Sequence, residues 1–236
     1  MKRLPQYYLA NYMGLEPVER RIALRKFCET SAGYWGYGAF NLCTSEILGA
    51  ETGFLGKLDP VSDAQVEQLI RSSCTSGSGH EFTSNLQVAK ALIQYVKSRE
   101  ITARYFEMPS ARFGAGEFLR YWNDLIVEID GERFVLCIDP KLNGLTSKGM
   151  HIVRSIAQVQ IIEGLPKLAG FKPAVLYFPK SDSGKRYAML RKSSSDEFHS
   201  YDELHRRYVE TYSQYADVLE EIRKESDGSG ATGTLI

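Results

Sequence analysis

The stretch from Asn123 to Gly144, N-D-L-I-V-E-I-D-G-E-R-F-V-L-C-I-D-P-K-L-N-G, constrains the fold more than any other part of the chain. Two apolar runs, 125–129 and 133–138, flank Asp130-Gly131, a dipeptide that accepts positive φ at both centres of a type I′ turn. The spacing predicts a two-residue β-hairpin in which Ile129 pairs with Glu132 and, counting outward, Asp124 faces Cys137. Strand side chains alternate, so Leu125, Val127, Ile129, Phe134, Leu136 and Ile138 share one face, an apolar surface that needs a covering layer. Asp124, Asp139 and Lys141 share the other.

Carboxylates on diagonal cross-strand positions lie roughly 7–8 Å apart at Cα, near enough to converge on one divalent cation. A lysine on the same face completes a set suited to phosphodiester hydrolysis, with acids holding the metal and an ammonium orienting water and offsetting phosphate charge. Asp124, fourteen residues, then Asp139-Pro140-Lys141 resembles the D…(D/E)-x-K signature of the PD-(D/E)xK nuclease superfamily. A turn followed by a surface loop with a solvated lysine accounts for the same residues in ordinary terms. Two departures stand out: Asn123 occupies the place of the family's namesake proline, and Pro140, which cannot donate to a ladder, requires the strand to end, bulge or form an edge.

The resemblance covers about residues 80–180. It implies an α/β, restriction-endonuclease-like αβββαβ core with a mixed central sheet, and Mg²⁺ or Mn²⁺ bound by Asp124, Asp139, the Pro140 carbonyl and Glu81. His80 is the competitor to Glu81, and a helix start would equally favour an acid there. On the helix predicted over 147–163, Ser147, His151, Arg154 and Gln158 form a stripe at helical spacing. By resemblance Arg154 and Gln158 match the basic residue and glutamine that follow the third strand in RecB-like members, with Gln160 competing; a solvated face would give the same stripe. The expectation is a metal-dependent endonuclease, a hydrolase acting on DNA more than RNA, with catalytic residues Asp124, Asp139, Lys141 and Gln158. Arg154, His151 and Arg112 would contact nucleic acid. The alternative is a non-catalytic nucleic-acid- or protein-binding module on a degenerate nuclease fold.

Around this core the chain divides into an aromatic-rich helical region, 1–78, the core with a long C-terminal helix, 79–225, and a tail, 226–236, that its Gly and Ser predict to be disordered. Pro17 suits the first turn of a helix to about Glu29. Its Arg20, Arg21, Arg25 and Lys26, with the nearby tyrosines, read either as a surface for unstacked bases or as a solvated face over a tyrosine-rich core. Ser62 and Gln65 form a capping box, and 75–79, T-S-G-S-G, is the connector. Strands are predicted over 101–106, 173–178 and 186–191, and a loop containing Arg112 over 109–116. The helix over 201–224 carries Leu204, Tyr208, Tyr212, Tyr215 and Leu219 on one stripe, for packing or a homodimer contact.

Lys plus Arg equals Asp plus Glu at 29 each, so an affinity for nucleic acid would have to come from a local patch. The four cysteines, Cys28, Cys43, Cys74 and Cys137, show no zinc spacing, which reads as free thiols in a reducing compartment. With no apolar run long enough for a membrane, the expectation is a cytoplasmic protein.

Overall fold

The Asp130-Gly131 turn forms as its residues require, with φ of 52° at Asp130 and 80° at Gly131. Ile129 pairs with Glu132 and Ile126 with Val135, the expected register. The computed structural model describes residues 3–30, 36–51, 61–75, 79–113, 117–193 and 198–229. The connector's centre, Gly33, Tyr34, Trp35 and the last seven residues lie outside them.

Among the described residues the protein is a mixed α/β structure of seven helices and a five-stranded mixed sheet. Four helices come first: α1 (Gln6–Met13), α2 (Pro17–Glu29), α3 (Gly38–Ile47) and α4 (Asp63–Ser73). Helix α5 (Gly79–Lys97) leads into β1 (Ile101–Tyr105), a ribbon of β2 (Ala111–Phe113) and β3 (Glu117–Leu119), and the hairpin β4 (Leu125–Ile129) and β5 (Glu132–Asp139). Helix α6 (Ser147–Ile156) passes into a π-helical turn (Ala157–Ile162), and β6 (Lys172–Tyr177), β7 (Met189–Lys192) and α7 (Tyr201–Ser229) complete the chain. The sheet order is β1-β4-β5-β6-β7. Only β5 and β6 run parallel, as a crossover through α6 demands.

The alternation in the hairpin sorts two cores. Leu125, Val127, Ile129, Phe134, Leu136 and Ile138 are all buried in one cluster, covered by α3, α4 and α5. Val135, Cys137 and Val175 face the other, built from α1, α2, α6 and α7. The C-terminal stripe is spent here: Leu204, Tyr208 and Tyr215 pack into this chain's own core, which corrects the homodimer expectation for that face. Helix α7 also runs through Ser229, past the expected tail start at Ser226.

Three of the four basic residues of α2 make ion pairs within the chain, Arg20 buried and Arg21 and Arg25 at the surface. Arg20 is 1% exposed, donates to the Tyr12 and Leu15 carbonyls and pairs with Glu210 at 3.2 Å. Arg21 pairs with Glu221, and Arg25 with Glu29 and Glu225. Tyr8 and Tyr12 pack their rings on Phe27 at 5.0 and 6.2 Å, so the aromatics serve packing and not base stacking. Arg112 lies in strand β2 of the ribbon and not in a loop, because it pairs with Phe118 of β3, and its amide donates to the Gln160 side chain at 2.7 Å.

Candidate functional site

Strand β5 outruns β4, so Ile138 has no antiparallel partner for its backbone. Two side chains replace the missing ladder. The Asn123 carboxamide oxygen accepts the Ile138 N–H at 2.7 Å, and the Tyr7 hydroxyl donates to the Ile138 carbonyl at 2.8 Å. One residue on, Asp139 ends the strand and is 1% exposed. Its carboxylate accepts the Leu145 amide at 2.6 Å and the Lys141 amide at 3.2 Å. Pro140 then stops the ladder, and its carbonyl accepts from Arg186 at 2.7 Å.

The loop after Asp139 curls back around the carboxylate. Gly144 makes this closure possible, since a Cβ there would collide with both carboxylate oxygens. Asn11 of α1 fastens the loop from outside: it donates to the Gly144 carbonyl at 2.8 Å and accepts the Thr146 amide and hydroxyl at 2.9 and 3.1 Å. Thr146 caps α6 through the Gly149 amide. The Lys141 ammonium lies over the rings of Tyr7 and Tyr8, 5.1 and 5.3 Å from their centroids. Burial pushes the Asp139 carboxyl above the ordinary range, against the pull of its two amide donors and the Lys141 and Arg186 charges. Burial also lowers Lys141, against the attraction of Asp139.

Asp124 has a separate shell. It accepts the Met108 amide at 3.0 Å and pairs with Arg120 at 2.5 Å; it shares no hydrogen-bonding partner with Asp139 among the described residues. Glu81 is buried within α5, the helix that covers the Leu136 and Ile138 face, whereas alternation turns Asp139 to the α1 and α6 side. The four expected ligands are therefore not gathered at one point, and among the described residues no group of three or more His, Cys, Asp or Glu is placed to hold a metal ion. As arranged, these residues do not fit a Mg²⁺ centre.

The α6 stripe divides. His151 and Arg154, with Ser147, line a cleft of about 390 Å³, while Gln158 donates to Glu163 at 3.0 Å. Gln158 lies in the π-turn that begins at Ala157 and is not among the residues lining that cleft. His199, distant in sequence, meets His151 with ring centroids 4.7 Å apart. The sequence gives no site role to Tyr7, Asn11, Gly144 or His199; Tyr7, Asn11 and His199 act through contacts distant in the chain, and Gly144 acts through the curl of its loop onto Asp139.

The fold and the site define a mixed α/β protein whose strand-end Asp139 is tied into the loop that follows it. The chain belongs to the family described as sliding clamp-binding bacterial toxin SocB, whose model matches residues 8–225. A relative, the DNA replication inhibitor toxin SocB of Caulobacter vibrioides, is 24% identical over 233 residues, covering 98% of this chain and 96% of its own. No solved structure matches the chain. This membership overturns the assignment to the PD-(D/E)xK nucleases, and with it the expectation of a metal-dependent endonuclease whose partner is nucleic acid. The D-x-K pattern is three residues long, whereas the match to the toxin family runs through nearly the whole chain.

Proposed function

We propose that this protein is a non-catalytic, protein-binding toxin that inhibits DNA replication in the cytoplasm by occupying the sliding clamp. The observation that carries this reading is the family match over residues 8–225, joined to a relative that is coextensive with the chain and is itself a replication inhibitor. The hydrogen bonding of Asp139 supports it, because a carboxylate already holding two amides and packed on Gly144 has little left to offer a reaction. Among the described residues no helix is long and apolar enough to cross a membrane, in keeping with action on a cytoplasmic target.

The scaffold, in this proposal, is a restriction-endonuclease-like core that serves binding alone. Its support is the order helix, three antiparallel strands, helix, strand, with β5 and β6 parallel across α6. The division at residue 78 is part of the same proposal, although α1 and α2 share a core with α6 and α7.

The test is size-exclusion chromatography and surface plasmon resonance of the purified protein against the sliding clamp of its own cell, beside a clamp-dependent primer-extension assay. We expect a saturable complex, inhibition of extension that excess clamp relieves, and intact DNA after incubation with Mg²⁺. Absence of a complex at micromolar concentrations together with unimpaired extension would overturn the proposal.

A further inference from the structure

The two edges of the five-stranded sheet end differently. Beside β1 the chain closes its own ladder: the Glu51 amide donates to the Ala103 carbonyl at 2.9 Å, and the Glu51 carbonyl accepts the Tyr105 amide at 3.0 Å. Strand β7 is the other edge, and among the described residues no strand pairs with its outer side. It lies against β6 in one unbroken register, Ala174 with Lys192 through Tyr177 with Met189, continued by the Lys180–Arg186 bridge to the turn at Gly184.

Two hydrogen bonds fix which backbone groups face outward. The Ser181 amide donates to the Lys185 carbonyl at 2.8 Å, and the Tyr187 amide to the Pro179 carbonyl at 3.1 Å. Antiparallel pairs alternate between bonded and non-bonded, so Tyr187, Met189 and Arg191 turn their backbone toward β6, whereas Arg186, Ala188, Leu190 and Lys192 turn theirs away from the sheet. The Lys192 carbonyl accepts from Arg154 at 2.9 Å. The remainder of the row is a template for another strand.

The side chains say which strand fits. Residues 185–192 read K-R-Y-A-M-L-R-K, with cations at both ends, an apolar centre and no acid. Tyr187 and Met189 are 42% and 39% exposed on the face of Tyr177, whose hydroxyl donates to the Met189 sulfur at 3.6 Å. Ala188 and Leu190 are half-buried against the α5 core. Charge opposes pairing with a second copy. The two-fold registers that overlap this run most, centred on Ala188 and on Met189, set Arg191 opposite Lys185 and Lys192 opposite Arg186, and like charges directly opposite destabilise a pair.

We propose that the β7 edge docks an extended segment of a protein partner as an added strand, a segment with an apolar centre and acidic residues at its ends. Main-chain bonds to Ala188 and Leu190 supply affinity, and the flanking side chains select the partner. This deepens the clamp-binding reading by naming the surface, and it rests on that reading for the identity of the partner.

Amide hydrogen exchange resolved by NMR, on the full chain alone, with the sliding clamp, and with a synthetic peptide of alternating Thr and Val ended by Glu, tests it. The clamp and the peptide are each expected to slow exchange at Ala188, Leu190 and Lys192 while leaving Met189 and Arg191, already bonded to β6, unchanged. That alternation separates an added strand from general shielding. Ala188→Pro removes an outward N–H at an edge position, where proline is tolerated, and should weaken binding about tenfold. Lys185→Glu combined with Arg191→Glu, which leaves the backbone whole, should do the same and transfer preference to a peptide ended by Lys. A clamp complex that forms without slowing the outward amides would overturn the inference and leave the clamp-binding reading standing. Where no clamp complex forms, that reading fails and the peptide decides for the edge: alternating protection upholds it, and none overturns it. The same alternation in the chain alone at high concentration would assign the edge to a second copy and overturn the inference as well.

Discussion

The contact between Asn11 and Gly149 gives a quantitative test of how the Asp139 loop is held. Asn11 makes three hydrogen bonds to Gly144 and Thr146, each worth about 0.5–1.5 kcal/mol net. Asn11→Ala should therefore cost about 2–3 kcal/mol, which for a chain of this length is a fall in Tm of roughly 5–10 °C. Gly149 sits in α6 against the same side chain, where a Cβ would collide with the Asn11 Oδ1. In an open helix, Gly→Ala gains roughly 0.8–1 kcal/mol; here the collision must displace Asn11 and forfeit its bonds, so Gly149→Ala should destabilise by about 1–2 kcal/mol. In the Asn11→Ala background the Oδ1 is gone, and the nearest remaining obstacle is the residue 11 Cα at 3.3 Å, a contact that a small shift relieves. There the same substitution should be neutral or mildly stabilising. The cycle then yields a coupling of about 2 kcal/mol, near the upper part of the range for residues in contact. Urea unfolding of the four proteins, followed by circular dichroism, measures it. Effects that add to within about 0.5 kcal/mol would mean that Asn11 does not clamp this loop.

Three further outcomes follow from the site. Because the folded state holds the Asp139 proton more tightly than the unfolded chain does, stability should fall as pH rises from the ordinary carboxylate range through the raised value, then level off; Asp139→Asn should remove that slope, and parallel urea-unfolding profiles for the two proteins would contradict it. His199 works in the opposite sense: its lowered value makes stability rise with pH between that value and the ordinary one near 6.5. His199→Gln should flatten the rise in the same assay, and an unchanged profile would count against the burial argument. Mn²⁺ titrated calorimetrically should show no stoichiometric uptake through Asp139, whose oxygens hold the Leu145 and Lys141 amides while Arg186 holds the Pro140 carbonyl; saturable uptake abolished by Asp139→Asn would reinstate the metal site.

What the sequence determined by itself was local. Asp130-Gly131 selected its turn, alternation placed six apolar residues on the α5 face, and Ser62 with Gln65 formed the capping box. These features depend on neighbours within a few residues, so spacing alone reports them. Tertiary structure decided the fate of the polar groups. Whether Asp139 awaits a cation or closes a loop depends on amides at 141 and 145 and on Gly144, and the clasp on that loop comes from Asn11 at the other end of the chain. Arg154 was visible as part of a polar stripe, yet its burial depends on the Lys192 carbonyl, and His151 acquired its partner His199 only when α7 packed beside α6. Periodicity states which face is apolar and says nothing of what covers it. A three-residue acid-lysine pattern is shorter still in reach: the same residues serve hydrolysis in one shell of donors and hold a loop in another.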